Sequence, residues 1–106
     1  MKRINESEVP FKYETTGPKY MFREEGYSGG VAYLDPAGEI KEHAHDDESE
    51  VFYFIEGSPK FIASGSEFRV KEGDGFMVVP GEKHGIINDT DKTVKLTFLK
   101  IKQGDK

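Results

Sequence analysis

An all-β sandwich or barrel is the fold this chain predicts, and three observations carry it. Apolar residues come in short runs of about four to eight, the length of strands rather than of helices. Glycine, proline and acidic residues close each run and leave a helix almost nowhere to form. The segment 50–56 is apolar on both alternating faces, with Glu50, Phe52 and Phe54 on one and Val51, Tyr53 and Ile55 on the other.

Taken in chain order, the runs predict strands at 20–24, 30–34, 40–44, 50–56, 60–63, 67–71, 76–79, 84–88 and 93–101. Turn chemistry divides them: Asp35-Pro36-Ala37-Gly38, Glu56-Gly57-Ser58-Pro59, Ser64-Gly65, Glu72-Gly73-Asp74-Gly75 and Asn88-Asp89-Thr90-Asp91. Residues 1–18 read as an irregular arm, packed over the barrel or across onto a partner, which leaves 19–102 for the barrel of one domain spanning 1–106. A length of 106 residues sits near the commonest domain size of about 100–150. An antiparallel strand with one wet face alternates apolar and polar residues. The doubly apolar 50–56 strand therefore needs cover on both sides, which a homodimer supplies unless the first 30 residues do so within one chain.

Hydrophobic residues make up 35% of the chain, below the usual range of about 45–50%. Eight Phe and five Tyr compensate, since each ring buries about 150–250 Å². A net charge of −5, from 15 Lys and Arg against 20 Asp and Glu, shows no concentrated basic face and argues against nucleic acid as a partner. There is no run of about 18 apolar residues and no charged-then-apolar leader, so neither a membrane span nor a secretory signal is expected and the cytoplasm is the expected compartment. The lack of cysteine removes disulfides, thiolate ligands and cysteine nucleophiles from consideration.

All three histidines fall in one pattern: His43-Ala44-His45, then Glu50, then His84. Side chains two apart on a strand share a face, so His43 and His45 can converge on one point. Imidazoles with one carboxylate suit a divalent first-row transition metal (Fe, Mn, Ni, Co or Zn), one per chain, rather than the mostly oxygen shell of Ca or Mg. Glu48 is a rival carboxylate on the same strand face, but Glu50 opens the apolar run. Four protein ligands leave open positions on an octahedral metal, the mark of a catalytic rather than a structural ion. In the strand at 84–88, His84, Ile86 and Asn88 share a face, so an apolar wall stands beside the site, as Phe52 and Phe54 do beside Glu50. Tyr33, Tyr53, Met77, Phe98 and Arg23 are candidates to line a pocket, and Asn88 and Tyr53 to orient a ligand from behind. Arg3, Arg23 and Arg69 are the only guanidinium groups for bidentate recognition of an anion.

These residues resemble the two short motifs of the cupin superfamily over about 38–88. Gly38, His43-Ala44-His45, Glu50 and Gly57 match the first, with the leading glycine one position late. Gly73, Asp74, Gly81, His84 and Asn88 match the second, with proline at Pro80 instead of at Val79. The resemblance implies a double-stranded β-helix, or jelly-roll barrel, with His43, His45, Glu50 and His84 as metal ligands. It further implies a metal-dependent enzyme acting on a small polar molecule, of dioxygenase, decarboxylase, isomerase or lyase type. The alternative is a non-catalytic module that binds or senses a metal and a small molecule.

Overall fold

The computed structural model describes residues 1–11, 13 and 16–103. Among these residues nine strands follow a single turn of 3₁₀ helix at Glu6–Glu8: β1 Gly17–Arg23, β2 Tyr27–Leu34, β3 Glu39–His43, β4 Glu48–Glu56, β5 Lys60–Ala63, β6 Ser66–Arg69, β7 Gly75–Val78, β8 His84–Ile87 and β9 Val94–Lys102. Each predicted strand is present, and among the described residues there is no α-helix. They form two antiparallel sheets, a five-stranded one in the order β1-β2-β9-β4-β7 and a four-stranded one in the order β3-β8-β5-β6. The sheets close face to face as the jelly-roll barrel that the alternating pattern requires.

The core lies between the sheets. Phe54, Phe61, Val70, Val94 and Leu96 are fully enclosed, and Phe61 stacks on Phe76 with ring centroids 4.3 Å apart. Aromatic rings thus do the filling that leucine does elsewhere, as the composition foretold.

β1 and β2 begin at Gly17 and Tyr27, ahead of the expected 20 and 30. Glycine weakens a strand by propensity, yet Gly29 and Gly30 sit here where neighbouring backbones approach too closely for a side chain. A Cβ on Gly29 would meet the Phe98 carbonyl at 2.6 Å, and one on Gly30 would overlap the Lys19 carbonyl. The pairing of β1 with β2 shifts register between Tyr20 and Phe22 opposite this glycine pair, a β-bulge in the edge strand.

The N-terminal arm packs on the outer face of the five-stranded sheet. The Tyr33 hydroxyl donates to Glu6 at 2.7 Å, Lys95 reaches the same carboxylate at 3.4 Å, and Phe11 meets the Tyr33 ring edge-on at 5.3 Å. Among the described residues the arm covers one end of the sheet. Met77, Tyr53, Leu99 and Ile101 remain exposed on the same face.

Two turns hold the ends of the site-bearing strands. In 35–38 the Gly38 N–H bonds the Asp35 carbonyl at 2.8 Å, with Ala37 at φ 67°. That is the left-handed region, which costs an L-residue roughly 1–2 kcal/mol. The turn is tied to the strand that carries His84 through Ala37 N–H to Asn88 carbonyl and Asn88 N–H to Gly38 carbonyl, both 2.9 Å. Replacing Ala37 with glycine removes the strain and adds unfolded-chain entropy. The net expectation is that Ala37→Gly raises stability by about 0.5–1 kcal/mol in urea denaturation. A loss of stability would show that the methyl group makes packing contacts that outweigh the strain.

Candidate metal centre

The fold brings His43, His45, Glu50 and His84 to one point, with one potential ligand atom from each all within 4.8 Å of one another. His43 ends β3 and pairs directly with His84, the first residue of β8. Glu50 projects across from β4 in the other sheet. His45 lies just beyond the end of β3, so the shared strand face of the sequence reading applies only loosely to it. The two rings still converge, with centroids 4.8 Å apart. What holds the His45 loop is a bond from the Gly81 N–H to the His45 carbonyl at 2.7 Å. Gly81 sits at φ 83° behind Pro80, in a turn closed by Glu82 N–H on the Val79 carbonyl at 3.0 Å. Proline followed by a positive-φ glycine is the type II pattern. The displaced proline therefore makes a sound turn and leaves His84 in register.

The chemistry of the donor set argues for a cation. His43 Nδ1 lies 2.8 Å from the Lys41 carbonyl, and His84 Nδ1 lies 3.0 Å from the Glu82 carbonyl. Each of those nitrogens must donate, which leaves Nε2 as the lone-pair end in a neutral ring. His84 Nε2 faces Glu50 Oε1 at 3.2 Å, so an acceptor meets an acceptor inside the barrel. His45 Nε2 reaches the same oxygen at 3.1 Å, while Glu48 stands 3.7 Å from its other nitrogen. Glu48 thus backs His45 from outside, and Glu50 is the carboxylate within the cluster. Only a proton or a metal ion between these groups makes the arrangement favourable, and carbonyls behind the imidazoles are what orient metal-binding histidines.

Burial is severe at the centre: His84 is 1% exposed and Glu50 5%. Burial pushes the Glu50 carboxyl up, but the His84 bond, the charge of Lys100 and the contact with His45 outweigh it and leave it below its ordinary value. Burial pushes His84 down, and the Glu50 bond with the Glu82 carbonyl outweighs that and leaves it above its ordinary value.

A cavity of about 420 Å³ opens from the cluster to the barrel mouth, lined among others by His43, Glu50, Phe52, Phe98, Tyr20 and Lys100. Of the pocket residues expected from sequence, Phe98 is in place. Tyr53 and Met77 point outward and are 49% and 65% exposed, because their strands alternate the other way. Tyr33 packs against the arm, and Arg23 lies over the Tyr20 ring at 3.8 Å from its centroid. Asn88 is buried but spends its amide on backbone carbonyls, donating to Leu34 at the end of β2 at 2.9 Å and to Lys92 at 2.8 Å. It is a structural residue rather than a ligand-orienting one. Arg69 is taken up in a two-pronged pair with Asp89 at 2.6 and 2.8 Å, which holds the Asp89 carboxyl down at about 2. Tyr20 and Lys100 went unnoticed in the sequence, although a lysine on the inward row after Val94, Leu96 and Phe98 is a visible break in the pattern.

The Cupin domain family model matches residues 30–100. The chain belongs to the cupin family. It is 29% identical over 63 residues to the pectin degradation protein KdgF of Dickeya dadantii, a stretch covering 59% of this chain and 57% of that protein. It is 33% identical over 70 residues to the oxalate-binding protein of Thermotoga maritima, covering 64% of this chain and 54% of that one. The match thus spans only a little over half the length of these curated relatives. An uncharacterized conserved protein with a double-stranded β-helix domain from Klebsiella pneumoniae superposes with a TM-score of 0.83 at 17% identity, covering 98% of this cupin and 92% of that chain. Among the described residues no helix is long and apolar enough to cross a membrane.

The protonation shifts set a pH window for the metal-free cupin. Glu50, held below 4.5, stabilises the fold above that value, and this contribution is lost as the pH falls through its lower folded pKa. His84, held above 6.5, contributes below that value and loses its contribution as the pH rises through its higher folded pKa. Urea midpoints of the chelated protein are expected to fall at both ends, and His84→Gln to flatten the alkaline limb and also to weaken the acid one, because the His84 bond is the first of the groups that hold Glu50 down. An alkaline limb unchanged in that variant would refute the pairing.

Proposed function

We propose that this cupin is a metal-dependent enzyme acting on a small polar molecule, with His43, His45, Glu50 and His84 holding one divalent first-row transition metal. The observation that carries this reading is the convergence of three imidazoles on one buried carboxylate, with one potential ligand atom from each of His43, His45, Glu50 and His84 all within 4.8 Å of one another. A bound metal would supply Lewis-acid polarisation of a ligand atom placed in the cavity. The protein's part is to orient the imidazoles through Lys41 and Glu82 carbonyls and to exclude water with Phe52 and Phe98. The names of the relatives, one in pectin degradation and one binding oxalate, support a small polar ligand without choosing the reaction.

Elemental analysis of untagged protein purified without chelator is expected to find about one equivalent of a first-row metal, lost in His84→Ala. Metal retained in that variant would sink the ligand assignment. With the metal present, binding of small acids or sugars without turnover would mark a non-catalytic binding module instead.

We further propose that the cupin pairs with a second copy of itself through the outer face of the five-stranded sheet. Register places Met77, Val51, Leu99 and Gly29 in one row across β7, β4, β9 and β2, and Tyr53, Thr97 and Val31 in the next. From β7 to β2 neither row carries a charge, and the charges beside them, Lys19 on β1 and the Lys2–Glu24 pair, lie at one edge of the face. A groove of about 660 Å³ on this face, lined by Met21, Tyr27, Val31 and Leu99 among others, gives the relief for interdigitation. Light scattering is expected to give a dimer for the wild type and a folded monomer for Leu99→Lys. A monomeric wild type at tens of micromolar would remove the proposal.

A further inference from the structure

The inner row of β9 breaks its own pattern at the cavity. Val94, Leu96 and Phe98 are buried in the core, and the next inward position is Lys100, facing Glu50 directly across the β4–β9 ladder. A lysine at a position that packing would fill with an aliphatic residue costs stability unless it has a task. Its charge helps keep Glu50 ionised, but Glu50 makes its short contacts to His45 and His84, and the Lys100 amine makes its hydrogen bond elsewhere.

The amine of Lys100 is held in place rather than left free to reach solvent. It donates to the Tyr20 hydroxyl at 2.7 Å, the one hydrogen-bond acceptor it meets among the described residues. Tyr20 is itself fixed from both sides, edge-on against Phe98 at 5.0 Å and beneath the Arg23 guanidinium at 3.8 Å. Both polar ends line the same cavity as His43 and Glu50. An ammonium has three donors, and the Tyr20 hydroxyl adds a proton of its own because its oxygen is accepting.

We infer that Lys100 and Tyr20 form an anion subsite that receives the carboxylate of a small organic acid whose other end faces the histidine cluster. This rests on the metal-dependent reading above and names the ligand class for it. Three neutral imidazoles, one carboxylate and a divalent ion leave one net positive charge, and Lys100 adds a second in the same cavity, where Glu39 and Lys41 on β3 offset one another. A neutral ligand would leave both uncompensated in a cup floored by Phe52, Leu96 and Phe98. A carboxylate suits the pair better than a phosphate, which is ordinarily met by several backbone N–H groups or a guanidinium fork. Here Arg23 spends its face on the Tyr20 ring and Arg69 is held by Asp89.

The test is calorimetric titration of the metal-loaded cupin with malonate, succinate and pyruvate, beside inorganic phosphate and glucose, in the wild type and in Lys100→Met. Methionine continues the apolar row, so the variant is expected to fold and to keep its metal by elemental analysis. At least one acid is expected to bind the wild type more tightly than phosphate or glucose. That acid should bind Lys100→Met about ten- to a hundredfold more weakly, the range for one charge-assisted hydrogen bond. Lys100→Arg should recover part of the loss. Binding of none of the acids, equal affinity in Lys100→Met, or preference for glucose or phosphate would each overturn the subsite. A wild type that takes up no metal would instead sink the metal reading, and the same titrations on the metal-free protein would still decide the role of Lys100.

Discussion

A carboxylate that is almost sealed from water inside a small barrel is the constraint around which this structure is arranged. Glu50 is 5% exposed, next in its row to Phe52 and Phe54. An isolated ionised carboxyl there would be protonated or expelled, because its desolvation costs several kcal/mol even after relaxation. It is kept charged by groups from two other strands and a loop: His84 on β8, Lys100 on β9 and His45 beyond β3. Those groups meet only if the two sheets face one another in this register. The polar end of the barrel thus depends on the apolar end, where Phe54, Phe61 and Leu96 lock the sheets together.

The loops carry the same logic. A metal cluster tolerates little displacement of its side chains, so the backbone behind them must be stiff. Both departures from the family pattern fall in turns, and both are absorbed there. The late leading glycine leaves Ala37 at φ 67°, strained but tied on either side by bonds to Asn88. The late proline places Pro80 and Gly81 in the middle of a tight turn whose Gly81 N–H grips the His45 loop. Local strain of roughly 1–2 kcal/mol at one alanine is small beside the fixed placement it serves.

The sequence was legible wherever a side chain's role follows from alternation. Every strand could be found from the apolar runs, and the four clustered residues from their types and spacing. It was less legible where tertiary contact overrides the local rule. Gly29 and Gly30 look like a break and are instead the close-packed centre of β2, because β1 and β9 leave no room for a Cβ. Asn88 looks like a site residue and is a turn staple, since its partners, the carbonyls of Leu34 and Lys92, are 54 and 4 residues away. Tyr53 and Met77 were ambiguous because a strand apolar on both faces does not declare which side is inside.

That ambiguity is itself informative about β9, whose second half is turned inside out. Leu99 and Ile101 face outward and are 39% and 37% exposed, while Lys100 between them points into the barrel. A strand selected for monomer stability alone would carry the opposite assignment, with the lysine in water and the aliphatic residues in the core. The two anomalies lie on neighbouring residues of one rigid ladder, yet they make different demands. The outward pair asks for an apolar partner and gains nothing from a charge, whereas the inward lysine asks for an anion and gains nothing from a second subunit. Because β9 pairs on one side with β2 and on the other with β4, which bears Glu50, movement of the outer face would be transmitted to the cavity through the backbone. The proposed second copy, by holding the outer face still, would steady the backbone on which Lys100 is mounted, while the charge of that lysine is answered only from within the cavity.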